Sequence, residues 1–425
     1  MPNSFKKIMQ TYSMKLMICL IFVLLSIRSF SQEKDLRYFI EKAQTNSPLI
    51  SDFNNQISSA AIDSLLSRSN YKPQISANLN ANYAPVINGY GYDTAITNGQ
   101  SVSGLVGINQ KIIGKNIANS QAESFKILKE SLILNKRIAL KDLNKVIIDQ
   151  YITAYGSAEQ IVYNQKMITL LNNGANTLKK LTQNSIYKQT DYLIFLSTVK
   201  QQELQVLQLK QQYQNDLGIL NYLSGETDTT FVNLTKPDIN LKTISNPERT
   251  IFFKQFEVDS LKIVNQSKLI DNVYRPTLAL LGDAGYLSSF EYQPYKNFGF
   301  SVGLSLSIPI YDGNQRSLQH QKNEQAIATN LAYKSHFNKQ YQQQLLMLNQ
   351  KLKQTVDTGN QLQSQLQITD ALIEADKKLL LSGDAQITDF VIAIGNVITL
   401  NNLVSQNRIN KLLLINEINY WISND

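Results

Sequence analysis

The chain repeats itself at a fixed distance, and this constrains its fold more than any other feature. Shifted by 198 residues, Val106, Ile108 and Ile112 fall on Leu304, Leu306 and Ile310. At the same shift Thr190-Asp191-Tyr192-Leu193 meets Thr388-Asp389-Phe390-Val391, and Asn221-Tyr222-Leu223 meets Asn419-Tyr420-Trp421. No gap is needed between Val106 and Leu223. Upstream, Tyr71-Lys-Pro73 matches Tyr274-Arg-Pro276 at a shift of 203, so length changes only ahead of the strands. A repeat without insertions implies rods whose lengths must agree. The expected division is a leader at 1–31, a first repeat at 32–225, a linker at 226–246 and a second repeat at 247–425.

Each repeat reads as helix, two strands, a very long helix and a second helix. Residues 35–70 read as one helix, stopped by Pro73. The run Gln74-Ile-Ser-Ala-Asn-Leu-Asn-Ala-Asn-Tyr83 alternates polar and apolar residues, the period of a strand. After a Gly- and Asn-containing loop at 84–100, alternation resumes at Val102, Gly104, Val106 and Ile108. In the second repeat the partner strand at 277–287 is less regular around Leu281 and Gly282. There Phe298, Phe300, Val302, Leu304, Leu306, Ile308 and Ile310 share one face, opposite Ser301, Gly303, Ser305 and Ser307. From Asn116 to Gln183 there is no proline, and the only glycines are Gly156 and Gly174. A helix of that length reaches roughly 100 Å at 1.5 Å per residue. The final helix predicts a heptad seam through Val397, Leu400, Val404, Asn407, Lys411, Leu414, Ile418 and Trp421.

The beginning of the chain reads as an export signal. Lys15 precedes ten apolar residues, Leu16 to Leu25, and Ser29 and Ser31 follow. Ten residues are too few for a membrane-spanning helix, which needs about 20. Cleavage is expected after Ser31, and Met14 is an alternative start. The only cysteine, Cys19, lies inside the apolar run, so the mature chain holds no thiol for a disulfide or a metal. Of the net charge of +8, four positives lie before residue 32, which leaves +4 beyond. That scattered excess argues against a nucleic-acid partner, whose footprint is a clustered basic patch.

No later segment offers eighteen consecutive apolar residues, so any membrane segment must be made of strands or a surface helix. A ten-residue strand with one apolar face has the length needed to cross a bilayer obliquely. Tyr83, Tyr286 and Phe298 stand where the strands meet their loops, as an aromatic girdle would. Alternation alone equally fits an amphipathic sheet in a soluble sandwich; the long rods favour the membrane. Four strands are too few to close a barrel, and an open edge in lipid leaves unpaired N–H and C=O groups, each costing several kcal/mol. Several copies must therefore close the sheet around water.

The order of elements, the duplication and several motifs resemble the TolC family of outer-membrane efflux proteins. The run Ser307-Ile-Pro-Ile-Tyr-Asp-Gly313 is similar to that family's strand-to-helix junction, with Pro309, Asp312 and Gly313 in the family's places. Its counterpart Asn109-Gln-Lys-Ile-Ile-Gly-Lys115 departs from the pattern. The stretch Asp35 to Pro48 resembles the family's opening helix with its Asn-x-Pro end. The resemblance covers nearly all of the mature chain. It implies a mainly α fold with a small β part, in which two β-hairpins per chain close into a transmembrane barrel only on trimerisation. It also implies a homotrimer in outer-membrane lipid, a periplasmic adaptor, an inner-membrane transporter, and a passive duct for efflux or type I secretion.

In this family the turn after each long helix forms the periplasmic tip, here near Asn184–Gln189 and Ser382–Ile387. Gly383-Asp-Ala-Gln-Ile-Thr-Asp389 resembles the tip segment in which aspartates ring the entrance. Asp389 matches the first acidic position, while Ile392 stands at the second. Asp191 is the counterpart of Asp389 in the first repeat, and Asp384 is a nearby acid. Asp191 and Asp389 each follow a threonine, so each also suits the start of a helix. Chemistry finds no foothold. His320 and His336 lie sixteen apart on one predicted helix, about 24 Å, too far to share a metal. No phosphate loop, nucleophile elbow or zinc motif occurs. Neither enzyme nor cofactor is expected. The alternatives to a channel are a periplasmic adaptor and a structural coiled coil. An adaptor would need β-domains far larger than these strand pairs.

Overall fold

The computed structural model describes residues 34–227, 232–243, 250–290, 293–384 and 386–422. The leader at 1–31 with Cys19, and parts of the 226–246 linker, lie outside them. The helices longer than one turn are α1 (Leu36–Asn46), α2 (Pro48–Ser69), α3 (Lys115–Gln183), α4 (Gln189–Ser224), α5 (Ile251–Val273), α6 (Gln315–Ser382) and α7 (Ile387–Ile422). The strands are β1 (Gln74–Tyr83), β2 (Gln100–Ile112), β3 (Thr277–Ser288) and β4 (Phe298–Ser307). The bounds of α4 and α7 coincide at the 198-residue shift, and α2 and β1 start where α5 and β3 do at a shift of 203.

Three expectations need correction. The helix over 35–70 is two helices, because Ser47 precedes Pro48 and takes extended dihedrals (φ −69°, ψ 116°), as a residue before proline must. β4 stops at Ser307, short of Ile308 and Ile310, since Pro309 cannot donate to a ladder. The seam of α7 does not run through Lys411, which is exposed; Ile409, Ile415 and Asn416 are buried instead. This helix packs against more than one neighbour, so its buried surface is wider than a two-helix seam.

The chain forms two compact units, and each draws on both repeats. One comprises the described residues up to Ser47 with Leu140–Thr243 and 344–422; the other comprises Pro48–Ala139 and 250–343. In the first, Leu171, Leu178, Phe195, Phe390, Ile394 and Val397 form a core between α3, α4, α6 and α7. Phe195 and Phe390 stack with centroids 5.9 Å apart. Among the described residues α7 is the one helix long and apolar enough to cross a membrane, and its Ile387, Phe390, Ala393, Ile394 and Val397 enter this core. A second cluster joins Phe39 of α1 to Tyr151 and Tyr213, and the Tyr151 hydroxyl donates to the Thr235 carbonyl at 2.7 Å. Gly156 of α3 lies directly beneath Ile409, where a Cβ would stand 2.0 Å from Cδ1.

In the second unit the four strands form one antiparallel sheet in the order β1-β2-β3-β4. Beside it Ile127 and Leu134 of α3 pack on Ile251 and Val258 of α5. Phe253 meets Phe337 and Tyr341 edge-on at 5.1 and 5.5 Å.

Candidate functional site

The register assigns every strand residue to a face, because directly opposed residues point the same way and neighbours along a strand point oppositely. Leu79 opposes Gly104, Gly104 opposes Tyr286, and Tyr286 opposes Phe298. Ile75, Ile108, Gly282 and Val302 form another rung of the same face. Across all four strands this face is apolar except for Gln100, Gln110 and Ser288. Among the described residues nothing covers it: Leu79 is 88% exposed, Phe300 83% and Val302 75%. The opposite face carries Gln74, Ser76, Asn78, Asn80 and Asn82 of β1, and Ser301, Ser305 and Ser307 of β4. The irregular alternation of β3 is explained too. Its apolar-face residues (Leu278, Leu280, Gly282, Ala284, Tyr286) alternate with Ala279, Leu281, Asp283, Gly285 and Leu287, so only Asp283 marks the second face. β1 and β4 are the outer strands, and among the described residues the outer edge of each is unpaired.

Tyr83, Tyr286 and Phe298 share the apolar face and the loop end of the sheet. Tyr286 and Phe298 are directly opposed, and Tyr83 lies four residues further along the ladder. All three are largely solvent-facing or half-buried.

At the other end of β4 the chain turns into α6. Pro309 ends the ladder, and Gly313 takes φ +66°, a left-handed conformation that glycine accepts without strain. Asp312 accepts from the backbone N–H groups of Asn314 (2.9 Å) and Arg316 (2.8 Å), satisfying donors of the first helical turn. Those bonds, Arg316's first, hold the Asp312 carboxyl below the usual carboxylate range. The Arg316 side chain reaches back to Asp271 of α5 at 2.8 Å, where His320 also approaches to 2.9 Å. The Arg316 guanidinium holds the Asp271 carboxyl below its ordinary value, with the His320 ring adding to the effect. No local motif marks Asp271, because its partner lies 45 residues away. Among the described residues no three of His, Cys, Asp or Glu gather as a metal site.

In the other unit the two helical turns pack together. Gly383 takes φ +88° and abuts the turn after α3: a Cβ there would lie 2.9 Å from Cγ2 of Ile186. The Tyr187 hydroxyl donates to the Leu380 carbonyl at 3.3 Å. The three aspartates are not equivalent. Asp191 accepts from the Lys188 backbone N–H at 3.0 Å, closing the first turn of α4. Asp389 stands in the matching position of α7, but its carboxylate is exposed and, among the described residues, makes no such cap bond. Asp384 is exposed, and its backbone N–H donates to Leu379 as α6 ends. Ile392, one turn beyond Asp389, is 61% exposed.

CusC, whose structures concern transmembrane channel formation, superposes with a TM-score of 0.76 over 92% of each chain at 9% identity. The outer membrane protein VceC from Vibrio cholerae gives 0.70 at 12% identity, covering 92% of this chain and 96% of its own. The MtrE outer membrane channel of Neisseria gonorrhoeae, in its open state, gives 0.69 at 11% identity over 91% and 88%. No protein-family model and no curated protein matches the chain. The chain has the TolC-like fold, that of the outer-membrane efflux channels.

Proposed function

We propose that the protein is the outer-membrane channel of a tripartite efflux or type I secretion system, a passive trimeric duct. One observation carries the reading: a sheet with a polar reverse and, among the described residues, an uncovered apolar face and two unpaired edges. Such a sheet is stable in lipid only when closed, and closure by three chains makes a barrel of twelve strands, four from each. The polar face then lines water and the apolar face meets lipid, with Tyr83, Tyr286 and Phe298 towards the interface. The helical turns at Ile186 and Gly383 form the periplasmic entrance, where Asp389 presents its carboxylate and Asp384 and Asp191 stand nearby. A periplasmic adaptor and an inner-membrane transporter complete the pathway, and the duct itself performs no reaction. Fractionation tests this. Retention in the outer membrane as a detergent-resistant trimer that conducts ions in a planar bilayer is expected. Release as a soluble periplasmic species would favour an adaptor or a structural coiled coil.

A further inference from the structure

Only two residues in the four strands carry a formal charge, Lys111 of β2 and Asp283 of β3. The register puts both on the polar face. Asp283 shares a rung with Ser76, Gly107 and Ser301, while Lys111 opposes Ala279, four residues nearer the helical end. We infer that Asp283 makes the barrel stretch of the lumen favour cationic solutes over anionic ones. This rests on the proposed channel, in which three chains bring three Asp283 carboxylates to one level.

The surroundings of Asp283 leave its charge open to the lumen. Across β2 its neighbour is Gly107, which has no side chain to cover it. Across β4 the Ser301 hydroxyl donates to Oδ2 at 2.6 Å, which orients the carboxylate without neutralising it. The other polar-face residues, such as Asn78, Asn80, Ser103 and Ser305, are uncharged and offer no competing field. Lys111 is the one opposing charge in the strands. Four residues of strand put it about 13 Å further along the face. That exceeds the Debye length of about 10 Å at 0.1 M salt, so the lysine does not cancel the aspartate at its own level. Ser76, on the same rung but two strands away, lies about 10 Å from Asp283 and so within its field.

The test uses Ser76→Cys in the assembled, membrane-inserted protein, since the sequence's one native cysteine is Cys19 in the expected leader. The rates at which a cationic and an anionic methanethiosulfonate reagent modify the introduced thiol are compared, with Asp283 and with Asp283→Asn. At 0.1 M salt the Asp283→Asn substitution is expected to lower the cation-to-anion rate ratio at least about threefold, since fields in confined clefts raise local counter-ion concentration. At 1 M salt, where the Debye length is about 3 Å, the difference should vanish. Rapid modification of the thiol with the same ratio in both proteins overturns the role of Asp283 while leaving the channel intact. Protection of the thiol from both reagents means that the polar face does not line water; the channel reading itself then fails, and the inference with it.

Discussion

At the residue scale, Asp191 and Asp389 occupy equivalent places in the two repeats and differ in what their carboxylates do. Asp191 is committed to the backbone of Lys188, whereas the Asp389 carboxylate remains exposed. Asp191→Ala should therefore loosen the start of α4 by about 1 kcal/mol, the usual worth of a cap. Faster amide exchange at residues 188–192 would register it. Asp389→Ala should leave exchange there unchanged, raise single-channel conductance and weaken block by divalent cations, because symmetry-related carboxylates at a constriction attract such ions. An unaltered channel would remove Asp389 from the entrance. Gly156 is legible from the sequence only as one of two glycines in a long predicted helix. Its reason is Ile409, and Gly156→Ala should cost about 1–3 kcal/mol by overpacking. Shortening Ile409 to alanine in that background should return part of the loss in thermal unfolding.

At the scale of elements, the start of α6 depends on two carboxylates whose proton affinity is lowered by folding. Asp312 holds the first-turn N–H groups, and Asp271 holds Arg316. A depressed folded-state pKa contributes stability that is present above the ordinary value, 3.8 for both, and is lost as pH falls through the depressed values. Amide protection in residues 315–319 should accordingly persist at neutral pH and decline below about pH 4. Asp312→Ala should lower protection there already at neutral pH and reduce the acid dependence, whereas a pH-insensitive wild-type junction would contradict the cap. The motif itself, proline followed by Asp-Gly, was readable in the sequence. The brace from Asp271 was not, because it joins two helices across an intervening hairpin.

At the scale of the whole molecule, the two faces of the sheet should respond oppositely to the same substitution. Leu304 stands on the apolar face and is 71% exposed, while Ser305 stands on the other. Leu304→Arg should cost about 2–4 kcal/mol per subunit if that position lies near the bilayer midplane, and so abolish the outer-membrane trimer. Ser305→Arg should assemble normally. Trimer yield on unheated gels distinguishes the pair, and equal loss in both would mean that neither face meets lipid.

The sequence by itself determined most of the elements, although it merged α1 with α2 and ran β4 past Ser307. Periods of two and 3.6 residues, Pro73 ahead of β1 and the 198-residue shift place β1 at Gln74–Tyr83 and make α4 and α7 equal in extent. These signals are local, and the backbone obeys them wherever the segment lies. Tertiary structure alone decided the pairing of β2 with β3, which joins the repeats in one sheet. It also decided the brace of Asp271 on Arg316 and the seating of Ile409 over Gly156. Such outcomes depend on groups brought together from distant parts of the chain, where no periodicity reaches.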